Sequence, residues 1–80
     1  MMAADQSILQ VLGPPRRFEL TTNNVAKNAG LSRQYASERL RVLAEKNLVH
    51  REKSEGSDPF YSITEKGERV LEGNIDSDDL

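Results

Sequence analysis

The sequence predicts a mainly α fold with a small β-hairpin (α+β): a three-helix core, the hairpin, then a short C-terminal helix. Three observations predict it. Apolar residues recur at helical spacings in three stretches before residue 47. Two short stretches rich in β-formers, Leu48 to Lys53 and Phe60 to Thr64, flank a run of turn formers from Ser54 to Pro59. The 80 residues, 36% hydrophobic and 30% charged, hold enough apolar surface for one small core.

The first helix is expected over Ala4 to Leu12, where Ile8, Leu9, Val11 and Leu12 form one apolar face. Asp5 or Ser7 is expected to cap it, and Gly13-Pro14-Pro15 stops it. Phe18-Glu19-Leu20 alternates apolar and polar, long enough only for a minimal strand. Thr21 or Thr22 offers the N-cap of a second helix, Asn23 to about Ala29, with Val25, Ala26 and Ala29 inward. Gly30 supplies the left-handed residue of a tight turn, and Ser32 caps a third helix from Arg33 to about Lys46. Ala36, Leu40 and Leu43 line one stripe of that helix. At 100° per residue, Gln34, Glu38, Arg41 and Glu45 fall on the opposite side. Asn47 is its C-terminal cap. After the hairpin, Thr64 caps a last helix with Val70 and Leu71 inward; Gly67 weakens that expectation, and Gly73 ends the helix. The domain therefore spans residues 1–73, and Asn74 to Leu80 is an acidic tail expected to be mobile.

Composition excludes several function classes. With no cysteine and a single histidine, a disulfide scaffold, a thiol nucleophile and a thiolate zinc site are ruled out. No run is long and apolar enough for a membrane span, and no signal-peptide pattern opens the chain, so a cytoplasmic protein without a membrane partner is expected. No phosphate-binding glycine loop, Ser/His/Asp set or catalytic carboxylate pair occurs. Neither enzyme activity nor a cofactor is expected. The formal charge of −2 conceals an asymmetry: residues 16–54 carry nine bases against four acids, and residues 55–80 carry eight acids against two bases. A basic middle of this kind points to an anionic partner.

Helix, turn, helix and hairpin in this order is the plan of a winged helix, whose second paired helix enters a DNA major groove. Residues 24–40, Asn-Val-Ala-Lys-Asn-Ala-Gly-Leu-Ser-Arg-Gln-Tyr-Ala-Ser-Glu-Arg-Leu, resemble a winged helix-turn-helix transcription regulator. The similarity continues through Arg41 to Arg51, with Asn47-Leu48-Val49 where such regulators carry Gly/Asn-Leu-Val. It resumes at Tyr61-Ser62-Ile63-Thr64-Glu65-Lys66-Gly67 after the wing. Together the pieces span roughly residues 7–73. The short length and the acidic ending resemble, more narrowly, small haloarchaeal phage-repressor-like regulators. Two departures stand out: Asn47 replaces the usual Gly, and the wing tip, Glu52 to Asp58, mixes acids with bases, which weighs against its insertion into a minor groove.

The resemblance implies a sequence-specific regulator of double-stranded DNA, in the sense of a repressor, with helix 33–46 in the major groove. Arg33, Gln34 and Ser37 open that helix; Arg suits guanine and Gln suits adenine, although both also make ordinary solvated first-turn residues. Tyr35 is either a partly buried packer or a contact to phosphate or a thymine methyl. Arg41 is better placed for phosphate than for a base. Arg39, nearer the core flank, suits DNA or an ion pair with acids around Glu38 or Glu45. Glu38 can accept from cytosine N4 or stand as a solvated charge. Thr22, Asn23 and Asn24 open the second helix, where capping and phosphate binding are compatible. Arg51 and Lys53 share one face of the wing strand, a DNA-facing or a plain solvated one. Arg16 and Arg17 can touch the DNA backbone or keep a strand edge soluble, and His50 is read as a half-buried strand histidine.

So few phosphate contacts make for weak binding by one domain, and a homodimer on a pseudo-palindromic site is the usual remedy. Two other classes remain open. One is a winged-helix protein–protein module without DNA binding, suggested by Glu38, Glu45 and the acidic wing tip. The other is a ligand-sensing regulator, for which the chain leaves little room.

Overall fold

The computed structural model describes residues 2–14, 18–53 and 55–73. The order is α1 (Ala3–Leu12), β1 (Leu20–Thr21), α2 (Thr22–Ala29), α3 (Arg33–Glu45), β2 (Val49–Glu52), β3 (Phe60–Ile63) and α4 (Glu65–Leu71). These helices accompany a three-stranded antiparallel sheet of order β1-β3-β2. The expected hairpin gains its third strand from β1, which pairs Leu20 with Tyr61 and Thr21 with Phe60. That strand lies later than the expected Phe18 to Leu20: Phe18 and Glu19 precede it and are exposed.

One core joins all the layers. Ile8, Leu9 and Leu12 of α1 meet Val25 of α2, Leu40 and Leu43 of α3, and Leu48, Val49, Tyr61 and Ile63 around the hairpin. The stripe of Ala36, Leu40 and Leu43 is buried as the periodicity requires. Val11, expected on the buried face of α1, is only half-buried and lies at the core's edge with Phe18 and Leu20.

Caps fix where α2, α3 and α4 begin. The Thr21 hydroxyl accepts from the Asn24 N–H and the Ser32 hydroxyl from the Tyr35 N–H at 3.1 Å. The Thr64 hydroxyl accepts from the Gly67 N–H at 3.0 Å and donates to the Asn47 carbonyl at 2.6 Å, tying α4 to the end of α3. Gly30 adopts φ 71°, and the Leu31 N–H reaches back to the Ala26 carbonyl at 2.9 Å. Asn47 takes φ 63° in the same role after α3, where the Asn47 and Leu48 N–H groups bond the Ala44 and Leu43 carbonyls. These two left-handed stops set the angles at which α3 leaves α2 and enters the sheet.

Gly67, which weakened the expectation of α4, is what lets that helix dock. A Cβ there would collide with the Leu48 carbonyl oxygen and stand 2.8 Å from Ile63 Cγ1. Glycine at this position serves closeness of approach, at the expense of helix propensity.

Three expectations are corrected. Neither Asp5 nor Ser7 caps α1: Met2 occupies the N-cap without a side-chain bond, and Asp5 lies within the helix, 4% exposed. Its carboxylate is occupied by Arg39 of α3, which donates to it from Nε and an Nη, both at 2.7 Å. Arg39 therefore makes its ion pair with Asp5 rather than with the acids around Glu38 or Glu45. His50 is exposed, because β2 turns alternate side chains outward and His50 faces away from Val49. Arg16, Arg17 and the tail 74–80 lie outside the described residues.

Candidate nucleic-acid interface

The outward side of α3 is built by the same contacts that bury its inward side. With Ala36, Leu40 and Leu43 fixed against the core, Gln34, Glu38, Arg41 and Glu45 must project away from it, and all four are exposed. The Ser32 cap presents the first turn, so Arg33 and Gln34 stand clear of α2.

Two open hollows lie along this side. One, of about 450 Å³, is lined by Thr22 at the start of α2 and by Arg33, Gln34, Ser37 and Glu38. The other, of about 480 Å³, lies between α3 and the sheet and is lined by Ser37, Glu38, Arg41, Ala44, Glu45, Arg51 and Tyr61. Ser37 and Glu38 belong to both, so the hollows form one trough from the start of α2 to the wing.

Arg51 enters the trough through strand register. It pairs with Tyr61 as Val49 pairs with Ile63, and directly opposed residues project to the same face of a sheet. Val49, Tyr61 and Ile63 face the core, so Arg51 projects toward α3 at the point where the core ends. His50, Glu52 and Phe60 take the other face. Lys53 lies one residue past β2, exposed and outside the trough.

Of the expected site residues, the fold gathers Thr22, Arg33, Gln34, Ser37, Arg41 and Arg51 around one trough. Asn23, exposed beside Thr22, and Lys53 stand outside its lining. Tyr35 is half-buried on the other flank of α3, one turn before Arg39, a position that suits packing. Glu38, only weighed from sequence as one of two alternatives, occupies the middle of the trough. Its signal was present in the helical-wheel arithmetic, which puts it nearly opposite the core stripe.

Charges in the trough have no ion-pair partners among the described residues. This holds for Arg33, Arg41 and Arg51, and equally for Glu38 and Glu45. Arg39, by contrast, is locked: its hydrogen bonds to Asp5, opposed by some desolvation, hold the guanidinium above its already high ordinary value. No group of His, Asp and Glu side chains among the described residues is arranged to hold a metal ion. No helix among them is long and apolar enough to cross a membrane.

Comparisons with known proteins bear on the family and the fold. Residues 1–80 match the family model described as winged helix-turn-helix phage repressor. The chain is 39% identical over 80 residues to a protein of Halobacterium phage phiH named "Repressor protein", covering 100% of this chain and 89% of that one. Among solved structures it resembles MepR, a transcription regulator of the Staphylococcus aureus multidrug efflux pump MepA. The TM-score is 0.79 at 23% identity over 91% of this chain and 54% of that one. A mutant of MepR bound to an oligodeoxyribonucleotide also gives 0.79 at 23% identity, over 90% and 54% of the two chains. A MarR-family transcriptional regulator from Silicibacter pomeroyi gives 0.81 at 20% identity, over 91% and 49%. The chain thus spans about half the length of these solved proteins, and at such identities the likeness is one of fold.

Proposed function

The chain belongs to the winged helix-turn-helix phage repressor family, and from that premise we propose how this DNA-binding transcription regulator engages its site. The outward side of α3 lies in a major groove, with Arg33, Gln34 and Ser37 at base edges and Thr22, Arg41 and Arg51 at phosphates. Asn23 and Lys53 flank the contact and add charge or hydrogen bonds at its rim. Tyr35 supports the helix from its packed flank. Bound DNA then excludes the transcription machinery, which makes the protein a repressor acting in the cytoplasm, without a catalytic step or cofactor.

The observation that carries this reading is the unpartnered, arginine-bearing side of α3, continuous with Arg51 of the wing strand. Dimensions support it. An α-helix is roughly 10–12 Å across with its side chains, and the major groove is about 12 Å wide. Arg33 and Arg41 are eight residues apart, about 12 Å along the axis, so the pair can reach from the groove floor to its phosphate edge. The N-terminus of α2, where Thr22 is half-buried and Asn23 exposed, adds N–H groups that favour a phosphate oxygen.

With about four to six phosphate contacts at ~0.9 each, log K falls with log salt at a slope of about −4 to −5. A homodimer on two half-sites multiplies this modest single-domain affinity. Glu38 and Glu45 favour the rival reading, a protein–protein module using the same face. A gel-shift series on operator-bearing genomic fragments at graded salt separates them. Retardation that weakens with that slope supports the DNA reading, and no retardation at low salt overturns it.

A further inference from the structure

We infer that Glu38 is a specificity residue that accepts a hydrogen bond from the exocyclic amine of a cytosine in the major groove. The inference rests on the proposed docking of α3. Glu38 is the sixth residue of the helix, nearly opposite Ala36, Leu40 and Leu43, and it is the acid shared by both halves of the trough. The side chain at the middle of this helix's outward side is therefore a carboxylate, flanked by Gln34 one turn before and Arg41 one turn after.

A carboxylate at this position works against every phosphate contact around it. Its bland role would be an i,i+3 ion pair with Arg41, which steadies many exposed helices. That pair is not made: Glu38 has no hydrogen bond or ion pair among the described residues, although Arg41 lies on the same side, and its carboxylate adds only a minor favourable charge at the neighbouring Arg39, whose donors Asp5 takes. An acceptor-only group held at the floor of a major groove finds its best partner in the N4 amine of cytosine. Guanine and thymine present acceptors there, and adenine sets its N7 acceptor directly beside its amine, so repulsion makes the same carboxylate disfavour all three. Glu38 thus lowers affinity for DNA in general and restores it at one base pair, which widens the gap between operator and bulk DNA.

Selection of bound sites from a random DNA pool tests this, using the full chain beside Glu38→Ala and Glu38→Gln. Circular dichroism melts check that all three fold. The unaltered chain should enrich cytosine at one position per half-site. Glu38→Ala should lose preference at that position alone, by roughly tenfold, and bind unrelated DNA more tightly. Glu38→Gln should turn the preference toward adenine. A Glu38→Ala pool with the original preference throughout, or a lost preference for a base other than cytosine, overturns the inference while leaving the docking intact. An unaltered chain that enriches no sequence overturns both.

Discussion

The two sides of α3 carry arginines in opposite states. Arg39 leans toward α1, where Asp5, 4% exposed, takes two of its donors at 2.7 Å. Arg33 and Arg41, six residues before and two after it, are exposed and have no partner among the described residues. One helix therefore holds a paired, structural cation and exposed, unpaired cations of the same chemical type. What separates them is the company each keeps. A paired cation with little solvent access has committed its donors to the fold, whereas an unpaired exposed one retains them for a phosphate or a base.

Substitutions on the two sides should thus move different observables. Leu40→Ala attacks the packed side: the residue is fully buried, and its truncation should cost roughly 2–5 kcal/mol in a denaturant melt. An unchanged melt would show that the orientation of α3 is wrong. Arg39→Ala comes next, at about 3 kcal/mol, the lower end for stranding a buried charge because 19% of the Arg39 side chain still meets solvent. Asp5→Ala should cost less, since the freed guanidinium can swing into water while a stranded Asp5 cannot. The raised Arg39 pKa keeps its cation's contribution present throughout ordinary pH and removes it only in strong alkali.

On the outward side the melt should hardly change and binding should. Arg33→Ala should weaken operator binding by about 1–3 kcal/mol while leaving non-specific binding nearly intact. Competition titration against unrelated duplex reads the difference; equal losses on both DNAs would demote Arg33 to a phosphate contact. Arg41→Ala has the smallest expected effect, an even weakening across sequences and a salt slope shallower by about 0.9. A change of operator preference in that variant would move Arg41 to the base-reading group.

The contrast between the sides was only half legible in the sequence. Local features came through because neighbouring residues determine them: the Ala36-Leu40-Leu43 stripe, the Ser32 and Thr64 caps, and the left-handed Gly30 and Asn47. The Asp5–Arg39 pair did not, because it joins residues 34 apart through the packing of α1 on α3, which no local pattern encodes. The same limit hid the pairing of β1 with β3 and the turning of Arg51 toward α3, both products of sheet register. Gly67 was misleading for a related reason. Its cost to α4 is local, and its benefit lies in the close approach of Leu48 and Ile63, distant in sequence or invisible without the fold. For the candidate site, helical-wheel geometry identified the outward residues, but only three-dimensional placement separated Tyr35 and Lys53 from those lining the trough.

DNA is expected to lie against the outward side of α3 and the wing strand. Titrating the isotopically labelled protein with its selected operator, while following backbone amide shifts by NMR, tests this placement most directly. Shifts and broadening should concentrate at Thr22, Arg33, Gln34, Ser37, Glu38, Arg41 and Arg51, with Asp5 and the exposed side of α1 little changed. Perturbation centred instead on Val11, Phe18 and Leu20, with the trough residues unmoved, would contradict it.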